Sequence, residues 1–153
     1  MSDLQDLYQE LIIDHSKRPR NFGSMNDANR TADGFNPLCG DKLKLFLKIE
    51  DGVIRDVKFI GAGCAISTAS ASVMTDMLKG QTIEQAASLF ETFHYMITGP
   101  KDPQHVGSGL GKLAVFAGVS EFPARVKCAT LAWHTMRNAI SGKTEAASTE
   151  QVK

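Results

Sequence analysis

The strongest constraint on the fold is a pair of strand-like segments separated by a tight turn. Over residues 42–49, leucine and isoleucine alternate with lysine at most positions, which gives one apolar and one charged face. A period of two is typical of a β-strand that covers a core with one face. Asp51-Gly52 then predicts a turn, and residues 54–60 predict a second strand. The chain is therefore expected to contain an antiparallel hairpin with one buried face.

Helical patterns account for most of the remaining chain. Capping boxes open two of the predicted helices, Ser2 with Gln5 and Thr82 with Gln85. Residues 21–38 are polar and rich in Gly, Asn and Asp, and are predicted to form a long loop. The fold class expected is α+β, with a small antiparallel sheet packed against several helices. The predicted helices cover residues 2–17, 66–78, 82–96, 113–119 and about 120–140.

The length of the chain predicts a single domain. The 153 residues can bury one core, and we expect a domain over residues 1–141 followed by a disordered tail over residues 142–153.

Lys and Arg (17) balance Asp and Glu (17), which argues against broad electrostatic binding to nucleic acid. No apolar run approaches the ~20 residues of a membrane helix, and no signal peptide is visible. A cytoplasmic protein without nucleic-acid or membrane partners is expected.

Three cysteines and one aspartate carry most of the functional information. Cys39 and Asp41 lie in Asn-Pro-Leu-Cys-Gly-Asp, Cys64 follows a Gly-Ala-Gly turn, and Cys128 lies in the last predicted helix. Three thiols and a carboxylate form one tetrahedral ligand set for zinc. The spacings are long, so only the fold could assemble such a site. The alternative is three unrelated buried thiols, because cysteine is among the most buried residue types.

The local contexts favour a shared site. Cys64 precedes a helix and Cys128 lies in the first turns of another, where the helix N-terminus favours thiolates. Cys128 is expected at the edge of its apolar stripe, where a purely structural cysteine is less natural. Asp41 alone could be a surface or capping residue. Beside three thiols, its position two residues after Cys39 favours a ligand.

Other polar residues are weaker candidates. Arg125 and Lys127 flank Cys128, and both could belong to a solvated helix face as readily as to a functional surface. No histidine is followed by a second ligand at i+3 or i+4, so surface or packing roles are expected. The histidines are His15, His94, His105 and His134.

The three cysteine motifs resemble those of the IscU/NifU-N family of iron–sulfur assembly proteins. Residues 37–41, 61–67 and 127–131 match the family motifs in the right order. The likeness extends from residue 7 to about residue 140. It implies an IscU/SufU-like fold and a role in iron–sulfur cluster assembly.

Within that family, the chain resembles the SufU branch of Gram-positive type. Lys127 stands where the scaffold branch has His, and the segment between Cys64 and Cys128 is longer. A Leu-Pro-Pro-Val-Lys chaperone-docking motif is also missing. That branch is known for a tightly held zinc and for taking persulfide sulfur from the cysteine desulfurase SufS.

The resemblance implies a zinc-dependent sulfurtransferase, an enzyme-like sulfur carrier. It implies zinc ligation by Cys39, Asp41, Cys64 and Cys128. It also implies sulfur acceptance by Cys39, with Arg125 contributing at the partner surface. The expected partners are a SufS-type cysteine desulfurase and downstream iron–sulfur assembly proteins.

Two alternatives to sulfur transfer stay open. The chain could be a scaffold that carries a transient 2Fe–2S cluster on the same cysteines, although Lys127 in place of His removes a ligand. It could also be a structural zinc domain, because four protein ligands resemble a closed site.

Overall fold

The computed structural model describes residues 2–37, 40–98, 113, 116, 123–142 and 147–148. Within these residues the fold class is α+β, as predicted. The helices are α1 (Ser2–Lys17), α2 (Ala65–Leu78), α3 (Ile83–Thr98) and α4 (Pro123–Ser141). The strands are β1 (Arg30–Asn36), β2 (Asp41–Glu50), β3 (Val53–Ala62) and the two-residue β4 (Ala147–Ser148).

The sheet has the strand order β3-β2-β1-β4. β2 and β3 form the predicted antiparallel hairpin, whose turn uses Asp51 and Gly52 with positive φ angles of 54° and 74°. β1 lies antiparallel to β2, and β4 lies parallel to β1. The register places Asn36 opposite Asp41. Both residues therefore lie at the same end of the sheet, on either side of the connection that carries Cys39.

The prediction of a continuous loop over residues 21–38 is wrong, because β1 lies inside it. The strand alternates in burial, with Ala32, Gly34 and Asn36 facing inwards. Its inward side chains are small or polar because α4 lies close above them. A Cβ added at Gly34 would collide with Thr135 Oγ1 and lie 3.2 Å from Leu131 Cδ1. The strand thus lacks the large apolar residues from which a strand is usually predicted.

The helices pack on the leucine-bearing face of the sheet. Leu43, Leu45 and Leu47 of β2 are buried there; α4 packs on β1 and β2, and α2 packs on β3. α1 packs against α2, and α3 packs against α4. This arrangement brings the start of α2 and the first turns of α4 to the end of the sheet where Asp41 lies. None of the described helices is long and apolar enough to cross a lipid bilayer.

The helix caps follow the sequence signals. Thr82 and Gln85 exchange the two predicted capping hydrogen bonds, of 2.9 and 3.0 Å, at the start of α3. Gly80 follows the end of α2 with a φ of +84°. α4 begins at Pro123, as expected for proline in a first helical turn.

Helix α4 is more deeply buried than its apolar stripe indicates. Every residue over 128–136 is buried, so Cys128, at 3% exposed, does not lie at the edge of a solvent-facing surface. The reason is that α4 contacts α2, α3 and the sheet. A helix surrounded in this way buries polar residues as well as apolar ones.

Two sequence predictions lie largely outside the described residues. Of the predicted helix over residues 113–119, only Leu113 and Phe116 are described, and both are buried. In the predicted tail, Gly142 follows α4 and β4 pairs with Gly34 and Phe35. The division into a 1–141 domain and a disordered 142–153 tail stays a prediction.

Candidate metal centre

Asp41 provides a buried carboxylate at the start of β2. Its side chain is 0% exposed. Oδ1 accepts a hydrogen bond of 2.9 Å from the Cys64 backbone N–H, and Oδ2 accepts one of 3.1 Å from the Asn36 amide. In the part of the chain that the structure describes, Asp41 forms no ion pair with Lys or Arg. Buried carboxylates are usually paired with a cation or bound to a metal, so this environment suits a metal ligand.

Cys64 caps the N-terminus of α2. Its backbone is extended, and its Sγ accepts a hydrogen bond of 3.4 Å from the Ser67 N–H. The preceding Gly63 brings the chain close to Asp41, because a Cβ there would lie 2.6 Å from Asp41 Oδ1. Cys64 is exposed, so its thiol forms the outer side of the site.

Cys128 lies on the second turn of α4 and is the third residue of the site. Its Sγ lies 3.6 Å from Asn36 Nδ2, which donates a hydrogen bond to it. A hydrogen bond to the neighbouring residue fixes the position of this part of α4. The Ala129 carbonyl accepts a hydrogen bond of 2.6 Å from Ser70 Oγ on α2.

The fold brings three of the four predicted ligands together. One ligand atom from each of Asp41, Cys64 and Cys128 lies within 4.8 Å of the other two. Two sulfurs bound to one tetrahedral zinc are about 3.8 Å apart, so small side-chain adjustments bring these atoms to a shared ion. Two sulfurs and one carboxylate oxygen also match the donor preference of zinc. The residues present therefore fit a zinc ion.

The remaining predicted site residues have different outcomes. Cys39 lies outside the described residues, so its place as the fourth ligand stays a prediction. Arg125 is exposed on α4, one turn before Cys128, and Lys127 is half-buried.

The described histidines lie away from the cluster, as predicted. His15 is buried and its Nδ1 lies 2.7 Å from Ser72 Oγ. His134 is 5% exposed and packs against His94 and Phe90. Burial is the main cause that lowers the pKa of His134 to about 4, and Arg137 and His94 lower it further. Both histidine roles are consistent with packing.

Gly63, one of the two glycines that precede Cys64, allows the backbone to pass beside the Asp41 carboxylate. One residue of the site, Asn36, was missed by the sequence analysis. It connects Asp41 and Cys128. It lies within the first cysteine motif, but only contacts between elements show its role. The signal that could have found Asn36 is strand β1, since its register opposite Asp41 follows once the strand is recognised.

Comparison with known proteins relates the site to a family. Residues 7–141 match the family described as the NifU-like N-terminal domain. The zinc-dependent sulfurtransferase SufU of Bacillus subtilis is 42% identical over 140 residues, which cover 92% of this chain and 93% of that protein. The iron–sulfur cluster assembly scaffold protein IscU of Streptococcus pyogenes is 41% identical over 140 residues, with 92% and 86% coverage.

A solved structure extends the similarity to three dimensions. It is that of a protein from Fervidobacterium islandicum, described as an iron–sulfur cluster assembly scaffold for the SUF system. The TM-score is 0.78 at 34% identity, covering 89% of this chain and 98% of that one. The similarity therefore extends over nearly the whole length of both chains.

Proposed function

The chain is a member of the NifU-like N-terminal domain family, and we propose that it is a zinc-dependent sulfurtransferase. In this role it accepts persulfide sulfur from a SufS-type cysteine desulfurase and passes it to downstream iron–sulfur assembly proteins. The observation that carries the proposal is the Asp41, Cys64 and Cys128 cluster, with ligand atoms within 4.8 Å of one another. The 42% identity to the zinc-dependent sulfurtransferase SufU supports the same function.

Cys39, Asp41, Cys64 and Cys128 are proposed to hold the zinc. Bound zinc would keep its cysteine ligands deprotonated at neutral pH. Cys39 is separated from Asp41 by one residue, so covalent geometry limits their Cα atoms to about 7.6 Å apart. That proximity supports Cys39 as the ligand that joins the three described ones.

Cys39 is proposed to be the sulfur acceptor. Its thiolate attacks the outer sulfur of the desulfurase persulfide, and a new S–S bond forms on Cys39. The S–S bond of the donor breaks, and the donor cysteine leaves as a thiolate. The thiols of the other two cysteines are held in place, because Cys64 caps α2 and Cys128 is buried in α4.

Arg125 is proposed to contribute where the desulfurase docks. It is exposed and lies one helical turn from Cys128, so it can face a partner without entering the ligand cluster. Its role is electrostatic, and electrostatic complementarity mainly affects association with the partner.

The test is the location of persulfide after incubation with desulfurase and free cysteine. Digestion and mass measurement are expected to find the added sulfur on Cys39. Cys39→Ser should abolish acceptance. Arg125→Ala should slow it several-fold, whereas Arg137→Ala, at the other end of the same helix, should not. Persulfide on Cys64 or Cys128 with Cys39 unmodified would overturn the assignment.

A scaffold function is the second candidate. It is favoured by the 41% identity to the scaffold protein IscU of Streptococcus pyogenes. The two functions differ in metal content and in desulfurase response. A gently purified sample with about one zinc per chain and stimulated desulfurase supports sulfur transfer, whereas iron with acid-labile sulfide supports the scaffold.

A further inference from the structure

We propose that Asn36 is a positioning residue of the metal centre. Its side-chain amide holds Asp41 and Cys128 in the arrangement in which both face Cys64. The inference rests on the proposed zinc site and assigns a specific task to a residue outside the ligand set.

Asn36 lies where the sheet meets α4. It is the last residue of β1, its backbone pairs with Asp41 across the sheet, and its side chain is 0% exposed. From there Nδ2 donates a hydrogen bond of 3.1 Å to Asp41 Oδ2 and one of 3.6 Å to Cys128 Sγ. One amide group thus connects a ligand on β2 with a ligand on α4, 92 residues away from Asn36 in the chain.

The chemistry of an amide suits this position. The NH₂ group of asparagine has two hydrogens, one for each of the two acceptors. It adds no charge beside a carboxylate and a thiol that would both be anionic as ligands. Aspartate has almost the same shape but would present a third anion and no donor. The position therefore requires the donor, not only the volume.

The amide also fixes the orientation of the Asp41 carboxylate. Its two oxygens accept from different donors, Oδ1 from Cys64 N–H and Oδ2 from Asn36. Hydrogen bonds to both oxygens restrict rotation of the carboxylate group, and each oxygen keeps a lone pair for a metal. This would keep Asp41, Cys64 and Cys128 in one arrangement for a bound ion. Partners of this kind, which orient metal ligands, typically change metal affinity by about 10- to 100-fold when mutated.

The experiment compares Asn36→Asp and Asn36→Ala with the wild-type protein. Zinc affinity is measured by competition with a chelator, and cobalt(II) is substituted to record its visible spectrum. We expect both variants to bind zinc about 10- to 100-fold more weakly. The cobalt ligand-field bands should also shift, because they report the geometry of the ligands. A role in folding alone would not shift them.

A matched control comes from another asparagine between strands. Asn29 Nδ2 donates a hydrogen bond of 2.7 Å to the Ile49 carbonyl at the far end of the sheet, so Asn29→Asp also removes an amide donor. The Asn29→Asp variant should keep the zinc affinity and the cobalt spectrum of the wild-type protein. If Asn36→Asp and Asn36→Ala prevent folding, Asn36→Ser is tested instead. Serine keeps one hydrogen-bond donor on a shorter side chain, so an intermediate loss of zinc affinity is expected.

Two results would overturn the inference. One is wild-type affinity and spectrum in the Asn36 variants. The other is a loss of affinity only in proportion to a lower melting temperature of the metal-free variant, with the cobalt spectrum unchanged. Failure of the wild-type protein to bind zinc would instead contradict the proposed function, so the two failures are distinguishable.

Discussion

At the scale of single residues, the site depends on how closely the backbone passes the Asp41 carboxylate. Cys64 N–H lies 2.9 Å from Asp41 Oδ1, and this approach is possible because residue 63 has no Cβ. A Cβ at that position would be 2.6 Å from Oδ1 and 3.1 Å from Cγ. Both neighbouring atoms belong to Asp41, a proposed ligand, so any adjustment to a larger residue changes the proposed site.

Gly63→Ala is therefore expected to weaken zinc binding by about 10- to 100-fold. The methyl group displaces the Asp41 carboxylate and breaks its bond to Cys64 N–H, and a hydrogen bond to a charged group is worth roughly 1.5–3 kcal/mol. Chelator competition measures the effect. Gly80→Ala is the control, because its added Cβ meets nothing within 4 Å and its φ of +84° affects only stability. Equal zinc affinity in the two variants would contradict this account.

At the scale of elements, the site depends on how α2 and α4 are joined. The Ser70 hydroxyl of α2 makes two hydrogen bonds to α4. It donates one of 2.6 Å to the Ala129 carbonyl and accepts one of 3.2 Å from Trp133 Nε1. Cys64 begins α2, and Cys128 immediately precedes Ala129. The Ser70 hydroxyl therefore fixes the distance between the two helices that carry the described thiols. Small residues on α2 permit the close approach.

Ser70→Ala is expected to lower the free energy of unfolding by about 1–3 kcal/mol. It removes the acceptor of the buried Trp133 N–H, and a buried donor left without a partner carries that cost. Denaturant unfolding followed by circular dichroism measures the change. Ser88→Ala, on the exposed side of α3, should change stability by less than about 0.5 kcal/mol. Similar unfolding midpoints for the two variants would argue against a connecting role for Ser70.

At the scale of the whole molecule, stability should depend on pH through the packing of α3 on α4. His134 on α4 packs edge-on against His94 and Phe90 of α3, and its pKa is lowered from 6.5 to about 4, mainly by burial. Burial and Arg137 also lower the pKa of His94. In the unfolded chain His134 has its ordinary pKa. Between pH 6.5 and 4 the unfolded state therefore binds a proton that the folded state does not bind.

The contribution of His134 is complete above pH 6.5 and is lost as the pH falls towards 4. The full effect is at most about 3 kcal/mol. His134→Gln removes this titration, so the unfolding free energy of the wild type should fall relative to the variant over that pH range. Comparing the two proteins cancels the acid sensitivity of the metal ligands, which both share. Parallel stability curves from pH 7.5 to 4.5 would exclude the histidine as the cause.

Sequence reasoning succeeded where the signal lies within a few residues. The alternation over residues 42–49, the Asp51-Gly52 turn and the Thr82 capping box depend on period or on contacts three residues apart. The place of Cys64 before a helix is of the same kind. Strand β1 was missed because its inward residues are selected by the approach of α4, not by hydrophobicity. Cys39 and its role stay predictions.

By itself, the sequence determined the α+β class, the hairpin and the Thr82 capping box, and it offered four residues as candidate ligands, because local periodicity and residue chemistry define them. Only the tertiary structure decided which of these residues meet. Asp41 contacts Cys64 across 23 residues, and Asn36 contacts Cys128 across 92. Such contacts depend on strand register and helix packing, which sum many weak interactions over the whole core. The burial of Cys128 and the positions of Asn36 and Gly63 follow from that packing.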